Sequence, residues 1–192
     1  MKTITTERLL LRPPRREDLP SLAEGIGAWD VARMLGRAPY PYALADAEGW
    51  FEKITAGSGT GLCEIFCILL KDNAAESVIG VIGIEPKTEG GPPEIGYWIA
   101  KPYWNRGYAG EAVAAMLAFG FEVLDLPFIG AAYYIENPAS GRVLARAGFK
   151  DVAEETRWCE ARGAHVDAVR LELTREMFEA RRDEGRKSVA AR

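Results

Sequence analysis

The sequence predicts an α+β fold, a mixed and mostly antiparallel sheet of about seven strands with helices on both faces. Three observations carry that prediction. Leu62–Leu70, Val78–Glu85 and Glu94–Ala100 are strand-like apolar runs with short breaker segments between them, the pattern of an antiparallel meander. The pattern then changes, because Tyr108–Leu124 is long, alanine-rich and helical in period. Beyond it come a strand at Phe128–Ile135, a helix at Pro138–Ala147 and a strand pair at Phe149–Trp158 and Val166–Leu173.

Each element has a local reason. Leu9–Arg12 is a short apolar strand stopped by Pro13-Pro14. Asp18 precedes Leu19, Leu22, Ala23 and Ile26 at helical spacing, with Gly25 and Gly27 as expected stops. Residues 29–51 read as an aromatic loop with Trp29, Tyr40 and Tyr42, then a helix from Asp46. The glycine-rich set Gly57–Gly61 closes it, and Lys71–Ser77 and Pro86–Pro93 separate the three meander strands. Asn137 is a natural N-cap, Pro138 suits the first helical position, and Gly148 sits where a left-handed C-terminal residue belongs. One domain over 1–175 is expected, with 176–192 as a charged tail or short fraying helix.

Composition narrows the class. With 48% hydrophobic and 27% charged residues, the chain is too apolar for disorder and too charged for a membrane bundle. A net charge of −4 disfavours a nucleic-acid surface, which needs clustered positive charge. No run of 18 apolar residues exists, and the N-terminus lacks the apolar core of a signal peptide, so no membrane association is expected. Three cysteines cannot make a disulfide framework, and Cys63 and Cys67 read as buried strand thiols. A single histidine, His165, argues against a metal site. The expected setting is the reducing cytoplasm.

The chemistry-bearing stretch runs from Glu94 to Glu111, where a strand enters a turn holding Gly107 and Gly110 and a long helix follows. The first turn of a helix presents unpaired N–H groups and a positive dipole end. Small residues at 107, 109 and 110 let an anion approach them, which is the physics of a phosphate cradle. Neither a G-x-x-x-x-G-K-[ST] loop nor a dinucleotide G-x-G-x-x-G is present. A tight turn that needs glycine only for its backbone is the competing reading.

Four segments together resemble the GNAT N-acetyltransferase superfamily, most closely its ribosomal-protein N-terminal acetyltransferase-like branch. They are Thr6-Glu7-Arg8-Leu9-Leu10-Leu11-Arg12-Pro13, Glu94-Ile95-Gly96-Tyr97-Trp98-Ile99, Trp104 to Ala112, and Asn137-Pro138-Ala139-Ser140 through Ala147-Gly148-Phe149. The resemblance spans about residues 5–175. It departs at Trp104, where the superfamily often has Gln or Arg.

The resemblance implies a GNAT-like fold with a V-shaped opening between the family's fourth and fifth strands, here 94–100 and 128–136. It implies acetyl-CoA as co-substrate and a primary amine, either a protein N-terminus or a small molecule, as acceptor. The backbone of Trp98, Ile99 and Ala100 would pair with pantetheine and the acetyl carbonyl. The N–H groups of Arg106, Gly107, Tyr108, Ala109, Gly110 and Glu111 would hold the pyrophosphate. Arg106, Arg142 and Arg146 would pair with phosphates, Asn137 would bond the pantetheine, and Ser140 would meet the thiol. Ser140 is then the candidate donor to the leaving thiolate, with Tyr134 or Tyr133 as runner-up. Glu94 is the preferred base and Glu85 the second. Many members form homodimers. A non-catalytic acyl-CoA-binding regulatory module and a purely structural domain are the rival readings.

Overall fold

The structure, a computed structural model, describes residues 3–57, 63–72, 77–86 and 91–190. The turn sets expected at Gly57–Gly61, Lys71–Ser77 and Pro86–Pro93, and Leu62 of the first meander strand, fall largely outside these residues. The elements are β1 (Ile4–Thr5), β2 (Leu9–Arg12), α1 (Leu19–Ile26), α2 (Trp29–Ala32), α3 (Leu44–Gly57), β3 (Glu64–Leu70), β4 (Val78–Pro86) and β5 (Pro93–Ile99). Then follow α4 (Tyr108–Ala118), β6 (Phe128–Tyr134), α5 (Pro138–Ala147), β7 (Lys150–Cys159), β8 (Ala164–Thr174) and α6 (Arg175–Ala190).

The strands form one eight-stranded sheet in the order β1-β2-β3-β4-β5-β6-β8-β7. The strand beyond the expected seven is β1, whose two residues are too few to show a period. Every neighbouring pair is antiparallel except β5 and β6. The predicted α+β class with helices on both faces is what the chain adopts. On one face α4 and α5 cover Leu11, Phe66, Ile82, Ile95, Ile129 and Leu171. On the other, Leu19 and Leu22 of α1 and Ala47 of α3 cover Cys67, Leu69 and Val81. The helix α6 starts at Arg175, and Phe178 stacks on Phe121 with ring centroids 4.7 Å apart.

Two local expectations need correction. Gly25 does not stop α1 but lies inside it. A Cβ there would sit 2.8 Å from the Trp98 ring, so glycine lets the indole of β5 press against the helix. The helical period over Tyr108–Leu124 also overstates α4, which ends at Ala118 and continues as a wide π-helical turn over Phe119–Val123. Gly120 in that turn lies where a Cβ would meet Ile129 at 2.7 Å and Ile84 at 2.9 Å. Close packing against the sheet sets the winding there, and side-chain period alone does not report it.

Gly25→Ala should therefore destabilise the protein by about 1–3 kcal/mol in denaturant unfolding through overpacking against Trp98. Gly49→Ala, in α3 where a Cβ meets nothing within 4 Å, should instead stabilise it by roughly 0.5–1 kcal/mol.

Candidate active site

The opening expected from the sequence exists. β5 and β6 pair at Glu94 with Gly130 and at Ile95 with Ala131, and then diverge. Each keeps its other neighbour, β5 pairing with β4 from Pro93 to Ile99 and β6 with β8 from Phe128 to Tyr134. The Ala100 N–H donates to the Ile79 carbonyl at 2.8 Å. Hydrogen bonding alternates along a strand, so Trp98 also bonds toward β4 while Tyr97 and Ile99 face the opening. Of the three expected backbone partners, Trp98 and Ala100 thus spend their N–H groups inside the sheet. The Ile99 carbonyl accepts the Trp104 indole N–H at 2.6 Å. Trp104, the departure from the family pattern, pins the following loop to the end of β5.

That loop turns through two left-handed residues, Asn105 (φ 59°) and Gly107 (φ 81°), and α4 begins at Tyr108. The first bond inside the helix runs from the Glu111 N–H to the Gly107 carbonyl at 3.1 Å. The N–H groups of Tyr108, Ala109 and Gly110 consequently have no partner within the helix. A Cβ on Gly110 would meet nothing within 4 Å, so the space at the first turn is open. Arg106, Arg142 and Arg146 are all exposed. The Arg106 guanidinium lies 5.9 Å from the Tyr103 ring centroid.

Glu111 plays a different part from its neighbours. Its N–H is used in the helix, and its carboxylate is a clamp. It accepts from the Thr6 hydroxyl (2.6 Å), the Arg8 N–H (2.8 Å) and Arg8 Nε (2.7 Å). Arg8 also donates to the Arg106 carbonyl at 2.9 Å and lies 4.8 Å over the Tyr108 ring. The chain before β2 therefore straps the loop in place. Burial opposes the charged form of Glu111, but the bonds from Thr6 and Arg8 outweigh it and hold the carboxyl below its usual range.

On the far side of the opening stands α5. The Asn137 side chain caps it, accepting from the Ser140 N–H at 3.2 Å, and Gly148 ends it at φ 106°. The Ser140 hydroxyl lies 2.9 Å from the Tyr97 hydroxyl, a contact that the sequence reading did not anticipate. Nothing in the local pattern around Tyr97 distinguishes it from a core aromatic. Tyr133 packs on Gly141, where a Cβ would come within 2.8 Å of its ring. The Tyr134 hydroxyl donates to the Trp158 carbonyl at 2.9 Å. Of the two runners-up for the thiolate-side donor, Tyr134 is thus engaged elsewhere, whereas Tyr133 packs beside Ser140.

Glu94 lies on the opposite face of β5 from Tyr97, sharing it with Trp98. Both its carboxylate oxygens accept from Arg157 of β7, at 2.6 and 3.0 Å, and its side chain is 12% exposed. Arg157 also pairs with Glu155. Glu85, its register partner on β4, pairs with Arg37. His165 sits at the β7–β8 end, edge-on to Trp158 at 5.3 Å. Among the described residues, no group of three or more His, Cys, Asp or Glu could hold a metal. None of the helices described is long and apolar enough to cross a membrane.

A family model described as the acetyltransferase (GNAT) domain matches residues 8–150. The chain belongs to the GNAT acetyltransferase family. It is 28% identical over 179 residues to p20, an uncharacterised N-acetyltransferase of Bacillus licheniformis, covering 93% of this chain and 99% of that protein. It is 36% identical over 158 residues to YoaA, an uncharacterised N-acetyltransferase of Bacillus subtilis, covering 77% and 82%. Its fold is similar to that of Mycobacterium smegmatis RimJ, solved in complex with CoA-disulfide, with a TM-score of 0.76, 24% identity, and 91% and 88% of the two chains covered. GNAT enzymes are acyltransferases that use acetyl-CoA. The residues of this GNAT chain suit such a group, since the open first turn of α4 presents free N–H groups to an anion.

Glu111→Gln should lower the melting temperature at neutral pH. The carboxyl has a depressed pKa in the folded state, so its contribution is fully present above the unfolded value of about 4.3 and lost as pH falls through the folded value. The gap between wild type and variant, followed by thermal melts, should close below about pH 4.

Proposed function

We propose that this GNAT enzyme moves the acetyl group of acetyl-CoA to a primary amine by direct attack of the amine on the thioester. The observation that carries the reading is the set of free N–H groups at Tyr108, Ala109 and Gly110 beside the β5–β6 opening, with the Ser140 hydroxyl across from it. When bound, the thioester supplies an activated acyl carbon and a leaving thiolate. The first turn of α4 holds the pyrophosphate, and the exposed side chains of Arg106 and Arg142 add positive charge. The Ile99 N–H donates to the acetyl carbonyl as negative charge grows on it. Asn137 keeps its side chain at the start of α5, where its amide reaches the pantetheine arm. Ser140 donates a hydrogen bond to the departing sulfur, whose thiol has an ordinary pKa near 8.5.

The amine enters from the Glu94 face of β5. An α-amine with pKa near 7.7–8.0 is about a tenth neutral at pH 7, so it needs only a weak base. Glu94, held by Arg157, takes the proton through water. An α-amine, whether of a protein N-terminus or of an amino-acid derivative, meets this requirement more readily than an alkylamine such as a lysine side chain, which at pKa about 10.4 is almost wholly charged.

Acetyl-CoA at 100 times its dissociation constant should raise unfolding stability by about 2.7 kcal/mol. In Gly110→Asp the helix start gains a favourable acidic residue, but that charge repels an anion. The variant should melt like wild type alone and gain little from acetyl-CoA. An unchanged gain would remove α4 from the binding site. Thiol release over a panel of peptides and small amines then reads the chemistry. Ser140→Ala should lower kcat by roughly 10- to 100-fold, the worth of one hydrogen bond to a charged group, whereas binding with no turnover on any amine would favour a regulatory module.

A further inference from the structure

Tyr97 and Ser140 come from elements that the chain makes far apart, yet their hydroxyls meet at 2.9 Å on the rim of the opening. The Tyr97 hydroxyl also lies 3.4 Å from the Ser140 carbonyl. The position of Ser140 is otherwise fixed. Its N–H bonds the Asn137 side chain and lies 3.1 Å from the Asn137 carbonyl, and the next residue, Gly141, is pressed against Tyr133. The first turn of α5 is therefore held by one tyrosine from each of the two diverging strands.

A serine hydroxyl carries one proton and can aim it at one acceptor. If Ser140 donated to Tyr97, nothing would remain for a sulfur. The phenol is the more acidic of the two hydroxyls and the better donor, so the pair orders with Tyr97 donating and Ser140 accepting. The Ser140 proton is then free, and donation into its oxygen strengthens the bond it makes next. Burial keeps the Tyr97 phenol protonated, with its pKa pushed up to about 12, so it serves as a neutral donor throughout the working range.

We propose that Tyr97 is a positioning residue that fixes the Ser140 hydroxyl as a hydrogen-bond donor to the coenzyme thiolate. The inference rests on the acetyl-CoA reading above and extends it to a residue on β5, 43 positions before Ser140 in the chain. The balance is simple. The amine lone pair forms the carbon–nitrogen bond, and the carbon–sulfur bond breaks with its electron pair left on sulfur. The amine proton leaves through water to Glu94. Ser140 donates a hydrogen bond to the sulfur, and no proton leaves either hydroxyl.

The test compares coenzyme A with desulfo-coenzyme A by titration calorimetry from about pH 7 to pH 10. It needs no acceptor. A site that lowers the bound thiol's pKa by one unit binds coenzyme A about tenfold more tightly, relative to the desulfo compound, once pH passes the thiol pKa. Wild type should show that gain. Tyr97→Phe should keep desulfo-coenzyme A affinity and reduce the gain to about two- or threefold. Ser140→Ala should cut it to no more than the part that Arg142 and the α5 dipole supply, and the double variant should match Ser140→Ala. Arg142 and the α5 dipole act equally in all four proteins. A gain unchanged in Tyr97→Phe, or affinity for both compounds lost in parallel, would overturn the role of Tyr97. Failure of wild type to bind either compound would overturn the coenzyme reading itself, and this inference with it.

Discussion

β5 and β6 are parallel neighbours that stay paired for only two residues, and the site exists because of that. Each strand is fully paired on its outer edge, β5 with β4 and β6 with β8. These antiparallel partnerships fix the direction of both strands, and α4 supplies the crossover that makes them parallel. With their outer edges committed, their inner edges separate after Ile95 and Ala131. Backbone groups at Tyr97 and Ile99 are left facing the gap. Buried without partners they would be costly, so the gap is suited to water or to a ligand with its own amides. Trp104 meets one of these needs by donating to the Ile99 carbonyl.

The second requirement is that α4 begin at a fixed place beside that gap. Gly107 provides the left-handed residue and the strap from Thr6 to Arg8 provides the anchor. The Arg8 side chain is 45% exposed, so solvent screens its charge and the ion pair alone contributes little. What matters is the combination of a main-chain N–H, a hydroxyl and a guanidinium on one carboxylate. These groups set where the helix starts and leave its next N–H groups free.

The alternation of β5 then divides the chemistry between two faces. Tyr97 and Ile99 go with α4 and α5, where the open first turn of α4 and Ser140 lie. Glu94 and Trp98 go with α1 and the arginine of β7. One strand thereby separates the side that carries Ser140 and the start of α4 from the side that carries Glu94 and Arg157. The close contact of Trp98 with Gly25 ties the first helix to this same strand, so the two faces share a support.

Much of this was legible in the order of residues. The meander, the long helix after Trp104, the Asn137 cap and the left-handed Gly148 are local choices, governed by side-chain period and by which residues tolerate a given backbone conformation. They determined the α+β class, the family and the place where α4 starts. The tertiary structure decided the rest, since those facts depend on pairs distant in the chain. Glu111 reads as a helix-start residue and proves to be the clamp for Thr6 and Arg8. Glu94 reads as the preferred base and proves to be held by Arg157. Tyr97 reads as a core aromatic and meets Ser140. Sequence period reports which face a residue occupies, but a hydrogen bond between residues 43 or 63 apart is set only when the sheet and helices pack.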